Sequence, residues 1–243
     1  KLEQQRSRRY KSLYQNNISR SIYKSVDPDP WNTTAITPGT LFMKRLNEKM
    51  YATYKDPLKY NAAKIIVSGS DHSGEGEHKL FQHIRDFADD HKDANTVIYG
   101  LDADLIMLSI NNLPVCPNIY LFRETPEFIK SIDSSLEPNA NYVMDIPTLA
   151  NTIMSYMNND DAKTDATTNA RLGRVYDYIF ICFFLGNDFL PHFPAINIRT
   201  GGIDKMLNAY KATIGGTKEI LTDGKTIYWK NVRKMVAFLA ERE

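Results

Sequence analysis

Two pairs of acidic residues stand out in this sequence because each is placed beside a strongly apolar segment. Glu75 and Glu77 lie in the run SGEGEHK, and Asp102 and Asp104 lie in the run YGLDADLIML. A fifth acid, Asp188, follows the apolar part of the run FFLGNDFLPH. Carboxylates at the ends of core elements are costly unless their charge is compensated. Mg²⁺ would compensate it, because it prefers oxygen ligands and commonly also holds substrate phosphates. The pattern therefore predicts metal-dependent phosphodiester chemistry.

The same acids have a structural alternative as helix caps. Glu75 and Glu77 favour a helix N-terminus, and Asp102 is a residue type that caps helices. The number of acids favours metal binding, because two-metal nucleases need several converging carboxylates to hold ions about 3.5–4 Å apart. His78 and Lys79 follow directly on the same predicted helix. His78 could support the site and Lys79 could contact a phosphate, or both could simply be exposed helix residues.

The elements that must position these acids alternate between strand and helix. Short apolar runs predict strands at 65–67, 96–99 and 119–122, and helical spacing predicts helices at 75–90 and from 105 to 110. This order predicts an α/β fold with a mostly parallel central sheet flanked by helices. Ligand sites in such sheets lie beyond the carboxyl ends of the strands, and both acidic pairs fall there.

The remaining segments predict mainly helices, a turn and an insertion. Further helices are expected at 1–24, 40–54, 203–210 and 231–243, and at 176–185, where periodicity also permits a strand. Thr222-Asp-Gly224 is suited to a hairpin turn. The polar stretch 158–168 is typical of a surface insertion. Since neither an internal repeat nor a clear linker is present, we expect a single domain over residues 1–243.

Composition excludes several classes of protein. A formal net charge of +1 means that affinity for nucleic acid must come from a local basic patch. Two cysteines in 243 residues argue against a disulfide framework and a cysteine-rich zinc site. No apolar run reaches the roughly 20 residues needed to span a bilayer, and the first residues lack a signal-peptide pattern. We expect an intracellular protein without membrane association. The first residue, Lys1, opens a predicted helix interior, so we expect a fragment of a longer protein.

The first predicted helix carries a concentration of positive charge. Seven Lys and Arg residues stand against one acid, Glu3, between residues 1 and 24. Such a run is usually a solvated helix face. Arg8 and Arg9, beside Gln5, could alternatively provide bidentate donors to a phosphate. Further along, Thr37-Pro-Gly-Thr40 precedes a predicted helix and favours N-capping over phosphate binding.

These motifs, in their order and spacing, resemble the Xrn-type 5′→3′ exoribonucleases, relatives of the flap endonuclease and PIN-like nucleases. The resemblance covers essentially the whole chain and is most specific at YGLDADLIML and GNDFLPH. The matching segments are QQRSRR, ITPGT-x-FM, GEGEHK, YGLDADLIML, LFRE, FFLGNDFLPH and IR-x-x-x-IDKMLNAYK.

The resemblance implies a PIN/flap-nuclease-like fold and a Mg²⁺-dependent hydrolase that removes mononucleotides processively from single-stranded RNA carrying a 5′-monophosphate. Two ions are expected, for which Mn²⁺ could substitute, and the enzyme would work in the cytoplasm or the nucleus. The implied catalytic metal ligands are Glu75, Glu77, Asp102, Asp104 and Asp188. The implied donors of a pocket for one 5′-phosphate are Lys1, Gln5, Arg8 and Arg9.

The sequence departs from the family pattern in two places. Ser73 stands where the family has proline before GEGEH. The family also carries further metal-binding aspartates and base-stacking residues in a segment that precedes the position of Lys1. If this chain is the whole polypeptide, we therefore expect an incomplete metal site; if it is a fragment, we expect its parent to be a full exonuclease. The alternatives are a catalytically incomplete module that binds 5′-phosphorylated RNA, a structure-specific DNA flap nuclease, and a structural partner-binding domain.

Overall fold

The computed structural model describes residues 2–23, 31–123, 133–137, 140–158, 168–187, 190–194 and 196–242. The chain divides into two compact units, residues 1–79 and residues 80–243. The expectation of one domain over the whole chain stays a prediction. The helices and strands are α1 (Leu2–Tyr23), α2 (Leu41–Thr53), α3 (Gly76–Asp86), α4 (Ala88–His91), β1 (Thr96–Tyr99), α5 (Asp104–Asn111), β2 (Ile119–Arg123), β3 (Tyr142–Asp145), α6 (Ile146–Met157), α7 (Thr168–Phe183), α8 (Gly202–Thr213) and α9 (Trp229–Ala240).

The first unit contains the two predicted N-terminal helices, α1 and α2, with a short 3₁₀ turn at Thr33–Ala35 between them. Thr40 caps α2: its hydroxyl oxygen accepts a hydrogen bond from the backbone N–H of Met43. The same hydroxyl donates to the carbonyl oxygen of Thr37 at 2.9 Å. An N-cap threonine satisfies a backbone donor that the first helical turn leaves without a partner. The capping interpretation of Thr37-Pro-Gly-Thr40 is therefore confirmed.

The strand predicted at 65–67 is wrong. Residues 64–69 have no regular secondary structure, and Ile66 is 57% exposed. The run of β-branched residues favours an extended backbone, but a strand also needs a hydrogen-bonded neighbour. Among the residues that the structure describes, the sheet contains no strand paired with this segment. The local pattern therefore identified backbone preference but not pairing.

The second unit contains a three-stranded sheet in the order β1-β2-β3. β1 and β2 pair in parallel with Thr96 opposite Ile119, whereas β2 and β3 pair antiparallel with Tyr120 opposite Asp145. The α/β class is thus confirmed, but the expectation of a mostly parallel sheet is not: over the described residues the sheet is small and mixed. β3 alternates half-buried and exposed residues, as an antiparallel strand with one solvated face does.

Two apolar clusters lie in the second unit. The first packs α3, α5 and α6 against the sheet around Phe81, Ile119 and Leu121, all fully buried. The second joins α7, α8 and α9 around Met206 and Tyr210. None of the helices in the described part of the chain is both long and apolar enough to cross a membrane.

The helical half of the second unit follows the sequence pattern closely. α7 confirms the helical interpretation of 176–185, and α8 and α9 confirm the helices predicted near 203–210 and 231–243. The turn at Thr222 closes through a single antiparallel bridge to Ile227 rather than through paired strands. The polar stretch predicted as an insertion falls at 158–168, of which residues 159–167 lie outside the described residues.

A buried polar network ties α7 to α8 and to the segment that follows α8. Asp177 is fully buried and accepts hydrogen bonds from the backbone N–H groups of Leu221 at 2.7 Å and Thr222 at 2.9 Å. Its other oxygen accepts from the Tyr210 hydroxyl. Arg174, also buried, donates to Tyr210 and lies 3.7 Å from the Asp177 carboxylate. Burial raises the pKa of Asp177 to about 6, against the lowering effect of these hydrogen bonds and of Arg174.

We expect the Asp177 carboxyl to make the free energy of unfolding larger at low pH than at neutral pH. Because the folded pKa is about 6 and the ordinary value is 3.8, the folded state binds the proton more strongly. The contribution of this proton to the free energy of unfolding is present below about pH 4 and is lost as pH rises through about 6. Two pKa units correspond to about 3 kcal/mol. Denaturant unfolding of the protein and of Asp177→Asn should therefore give a stability difference that shifts by about this amount between pH 4 and 7. A difference that does not change with pH would contradict the assignment.

Candidate active site

The first acidic pair lies where the chain enters α3. Gly74 adopts a left-handed backbone conformation, with φ of +96°, and Glu75 and Glu77 then flank the first residue of the helix, Gly76. Together with His78, they offer ligand atoms that all lie within 4.8 Å of one another. The Nε2 atom of His78 lies 3.7 Å from the Glu75 carboxylate, and His78 is itself exposed. Both glutamates are half-buried, at a helix end that favours negative charge.

Lys79 has a different role from either of the two predicted for it. Its ammonium group donates to the carbonyl oxygens of Gly69 at 2.9 Å and His72 at 3.2 Å. These carbonyls belong to the loop that leads into Glu75. Lys79 is therefore a structural cross-link of this loop. It is neither a solvated helix residue nor, in this arrangement, a free cation for phosphate.

The second acidic pair follows β1 in the second unit, as the order of elements predicted. Asp104 is the first residue of α5, and its backbone N–H donates to the Asp102 carboxylate at 3.3 Å. Asp102 therefore has part of the capping role considered for it. Both carboxylates remain exposed. Close packing shapes the turn before them: a Cβ on Gly100 would lie 2.3 Å from the Leu105 side chain.

The fifth predicted ligand, Asp188, lies outside the described residues, but hydrogen bonds join Asn187 and Leu190 on either side of it. The backbone N–H of Asn187 donates to the carbonyl oxygen of Leu190 at 2.9 Å, and the Leu190 N–H donates to the Asn187 side chain at 2.8 Å. Gly186 has φ of +83°, and a Cβ there would lie 2.7 Å from the His192 backbone nitrogen. The first residue of the motif GNDFLPH is thus required to be glycine, because of its backbone conformation and its close approach to the His192 backbone.

The predicted phosphate donors lie on α1. Gln5, Arg8 and Arg9 are spaced so that they share one helix face. Arg8 is exposed, whereas Gln5 and Arg9 are half-buried. Arg9 donates to the carbonyl oxygen of Ile36 and to the hydroxyl of the buried Thr37, the latter at 3.2 Å. Arg9 therefore anchors α1 to the segment before α2. The fourth predicted donor, Lys1, lies outside the described residues.

Comparison with known proteins adds an independent observation to this geometry. Residues 1–125 match the family described as "XRN 5'-3' exonuclease N-terminus". Residues 171–243 match the family described as "Xrn1 helical domain". The chain belongs to the Xrn family of 5′–3′ exonucleases. The first match includes both acidic pairs and the basic helix, and the second includes the segment around Asp188.

Curated relatives in the Xrn family agree with this assignment. The chain is 32% identical to the "5'-3' exoribonuclease 2" of Eremothecium gossypii over the whole chain and 30% of that protein. It is 35% identical to the protein of that name from Candida albicans, over 88% of this chain and 24% of the relative. It is 28% identical to the "5'-3' exoribonuclease 1" of Saccharomyces cerevisiae, over the whole chain and 17% of the relative. The chain thus spans less than a third of these relatives.

The residues present fit the divalent metal that the Xrn family implies. Glu75 and Glu77 supply carboxylate oxygens close enough to share one cation, and hard oxygen ligands suit Mg²⁺ or Mn²⁺. His78 is a less suitable ligand for such an ion, because imidazole nitrogen suits softer metals than Mg²⁺.

Sequence reasoning missed the residues that hold the loop before Glu75. Asn47 and Tyr51 of α2 bind this loop through their side chains. The available signal was weak: Asn47 is a polar residue within an apolar helical pattern, and it is the buried position of α2.

Proposed function

We propose that this protein is a Mg²⁺-dependent 5′→3′ exoribonuclease that hydrolyses single-stranded RNA carrying a 5′-monophosphate and releases mononucleotides. Its proposed metal ligands are Glu75, Glu77, Asp102, Asp104 and Asp188. Its proposed substrate is RNA, because the relatives are named 5'-3' exoribonuclease. The proposed place of action is inside the cell, in the cytoplasm or the nucleus.

The observation that carries this proposal is the acidic pair at the start of α3. Glu75 and Glu77 present ligand atoms within 4.8 Å in a chain that belongs to the Xrn family. Two carboxylates this close together repel each other, and a divalent cation held by both would offset that repulsion. Capping alone requires one side-chain acceptor at such a position. The two half-buried glutamates are therefore better explained by a bound cation.

The division of labour between the residues follows from their chemistry. Gln5, Arg8 and Arg9 would bind the terminal phosphate, since guanidinium groups match its oxygens in a bidentate manner. The five carboxylates would hold the cations at the scissile bond and would not themselves remove a proton. When bound, the metals supply an activated water near neutral pH and stabilise charge on the attacking and leaving oxygens. A pocket with donors for one phosphate would also explain why other 5′ ends are rejected.

The test is a cleavage assay with 3′-labelled single-stranded RNA that carries a 5′-monophosphate or a 5′-hydroxyl group. In Mg²⁺, we expect the 5′-monophosphate RNA to be shortened to mononucleotides and the 5′-hydroxyl RNA to persist. EDTA should abolish cleavage, because the carboxylates lose their cations. Equal cleavage of both substrates, or cleavage in EDTA, would contradict the proposal.

A matched binding measurement identifies the main alternative. If 5′-monophosphate RNA binds and is not cleaved in Mg²⁺, the protein is a 5′-phosphate RNA-binding module. A flap-type nuclease would instead cleave branched DNA in preference to single-stranded RNA, so a DNA flap substrate serves as the comparison.

A further inference from the structure

A side-chain network in the first unit joins α2 to the loop that precedes Glu75. Asn47 is 9% exposed, and its amide nitrogen donates to the Ser70 hydroxyl at 3.0 Å and to the Asp71 carboxylate at 3.2 Å. Its amide oxygen accepts from the backbone N–H of Ser70 at 3.2 Å. Tyr51, one turn further along α2, donates to Asp71 at 3.0 Å. The buried Asn47 amide thus both donates to and accepts from a segment that has no regular secondary structure.

The other side of the same loop is held from α3. Lys79 donates to the carbonyl oxygens of Gly69 and His72, so side chains of both α2 and α3 hydrogen-bond to the loop. Gly69 is buried, and a Cβ at this position would lie 2.6 Å from the Asp71 carboxylate and 2.8 Å from the Asn47 amide oxygen. A larger residue at position 69 would therefore displace the Asp71 and Asn47 side chains on which the network depends.

This network has a direct consequence for the metal ligands. The last loop residue that is hydrogen-bonded in this way is His72, three residues before Glu75. Lys79 itself lies two residues after Glu77 on the same helix. We propose that Asn47, with Tyr51 and Lys79, is a positioning device that holds the Glu75 and Glu77 carboxylates in place for a divalent cation. The inference rests on the proposed function, because it takes these glutamates as metal ligands.

The energetic reason is the preorganisation of the ligands. A flexible loop would have to lose its conformational freedom when the cation binds, and that cost would lower the affinity. Groups that orient metal ligands without touching the metal typically contribute about 10- to 100-fold in affinity. Asn47 is suited to this role because its amide both donates and accepts, which fixes the loop in one orientation.

The test is direct titration of the intact protein with Mn²⁺ in the absence of RNA, with free Mn²⁺ measured by electron paramagnetic resonance. Asn47→Leu keeps the branching and the number of side-chain heavy atoms but removes the amide, and we expect the dissociation constant to rise about 10-fold or more. Gly69→Ala should weaken binding similarly by displacing the same partners. Lys49→Ala, an exposed change on α2, is the control that should leave Mn²⁺ binding unchanged.

Rescue separates positioning from loss of folding. Asn47→Asp alone places two carboxylates against each other and should weaken Mn²⁺ binding. Adding Asp71→Asn reverses the donor and acceptor of the pair, so the double variant should recover most of the affinity. Absence of recovery, or unchanged affinity in both Asn47→Leu and Gly69→Ala, would overturn the inference.

The double variant Glu75→Gln with Glu77→Gln distinguishes an error in the positioning role from an error in the metal-ligand assignment. If it abolishes Mn²⁺ binding while Asn47→Leu and Gly69→Ala both have no effect, only the positioning role is wrong. If it leaves Mn²⁺ binding unchanged, the metal-ligand assignment in the proposed function is wrong, and the positioning role fails with it.

Discussion

Replacing Asp104 with asparagine is expected to lower the rate of RNA cleavage by at least about a thousand-fold, which corresponds to about 4 kcal/mol of transition-state stabilisation. The reason is the loss of one charged metal ligand, since the amide cannot neutralise a cation. Stability should change little, because Asp104 is exposed and its bond to Asp102 uses the backbone N–H rather than the side chain. The measurement is single-turnover cleavage of 5′-monophosphate RNA at saturating Mg²⁺.

The control for this prediction is Asp89→Asn, an exposed acid in the first turn of α4. It removes the same charge from a similar helical position outside the proposed site, so cleavage should stay within about two-fold of the unaltered protein, as surface changes usually have small effects. Asp102→Ala is a less direct test, because it also removes the acceptor for the Asp104 N–H and so loosens the start of α5. Near-normal turnover in Asp104→Asn would refute its role as a ligand.

The strands show what local pattern can and cannot reveal. β1 has the bounds that were predicted for it, 96–99, because Thr-Val-Ile-Tyr favours an extended backbone and has a neighbour to pair with at β2. The segment 65–67 has an equally strong preference and is not a strand in the structure. Pairing is a long-range property, so β-propensity alone cannot predict it.

Helix boundaries were predictable where capping chemistry was visible. α2 begins after Thr40 as expected, whereas the helix predicted over 75–90 is broken at Phe87, whose backbone is not helical. The sequence has no proline or glycine near Phe87 from which the break could have been predicted. The pair β3 and α6 was missed altogether, although Asp145 at the N-cap, with proline two residues later, is a readable helix start.

The residues of the candidate site also fall into those that the sequence predicts and those that only the tertiary structure reveals. The acids could be located from sequence by their residue type and spacing, and the structure places both pairs at helix starts. Only the second pair follows a strand, β1, because the strand predicted before Glu75 is absent. The roles of Lys79, Arg9 and Asn47 could not be inferred from sequence, because each depends on a carbonyl, hydroxyl or carboxylate at least seven residues away. Ligand types can therefore be inferred from spacing, but the residues that hold ligands in place require the tertiary structure.

The basic helix leads to the second large expected effect. Arg8→Ala should reduce the preference for 5′-monophosphate over 5′-hydroxyl RNA by about 10- to 100-fold, since a charge-assisted hydrogen bond contributes about 1.5–3 kcal/mol. The preference is measured as the ratio of kcat/KM for the two substrates. Because Arg8 is exposed, its removal should leave the melting temperature unchanged. Lys11→Ala, an exposed change of equal charge on α1, should leave the ratio intact.

Arg9 should behave differently from Arg8, and the contrast tests whether the helix face works as a pocket. Arg9→Ala loses the bonds to Ile36 and Thr37 as well as a donor for phosphate, so it should lower both the preference and the stability of the protein. Arg9→Lys keeps the charge but cannot form the same fork of hydrogen bonds. If the preference were set by net charge alone, Arg9→Lys would preserve it. A loss in Arg9→Lys, with Lys11→Ala unaffected, would instead establish that the geometry of the guanidinium groups selects the 5′-phosphate.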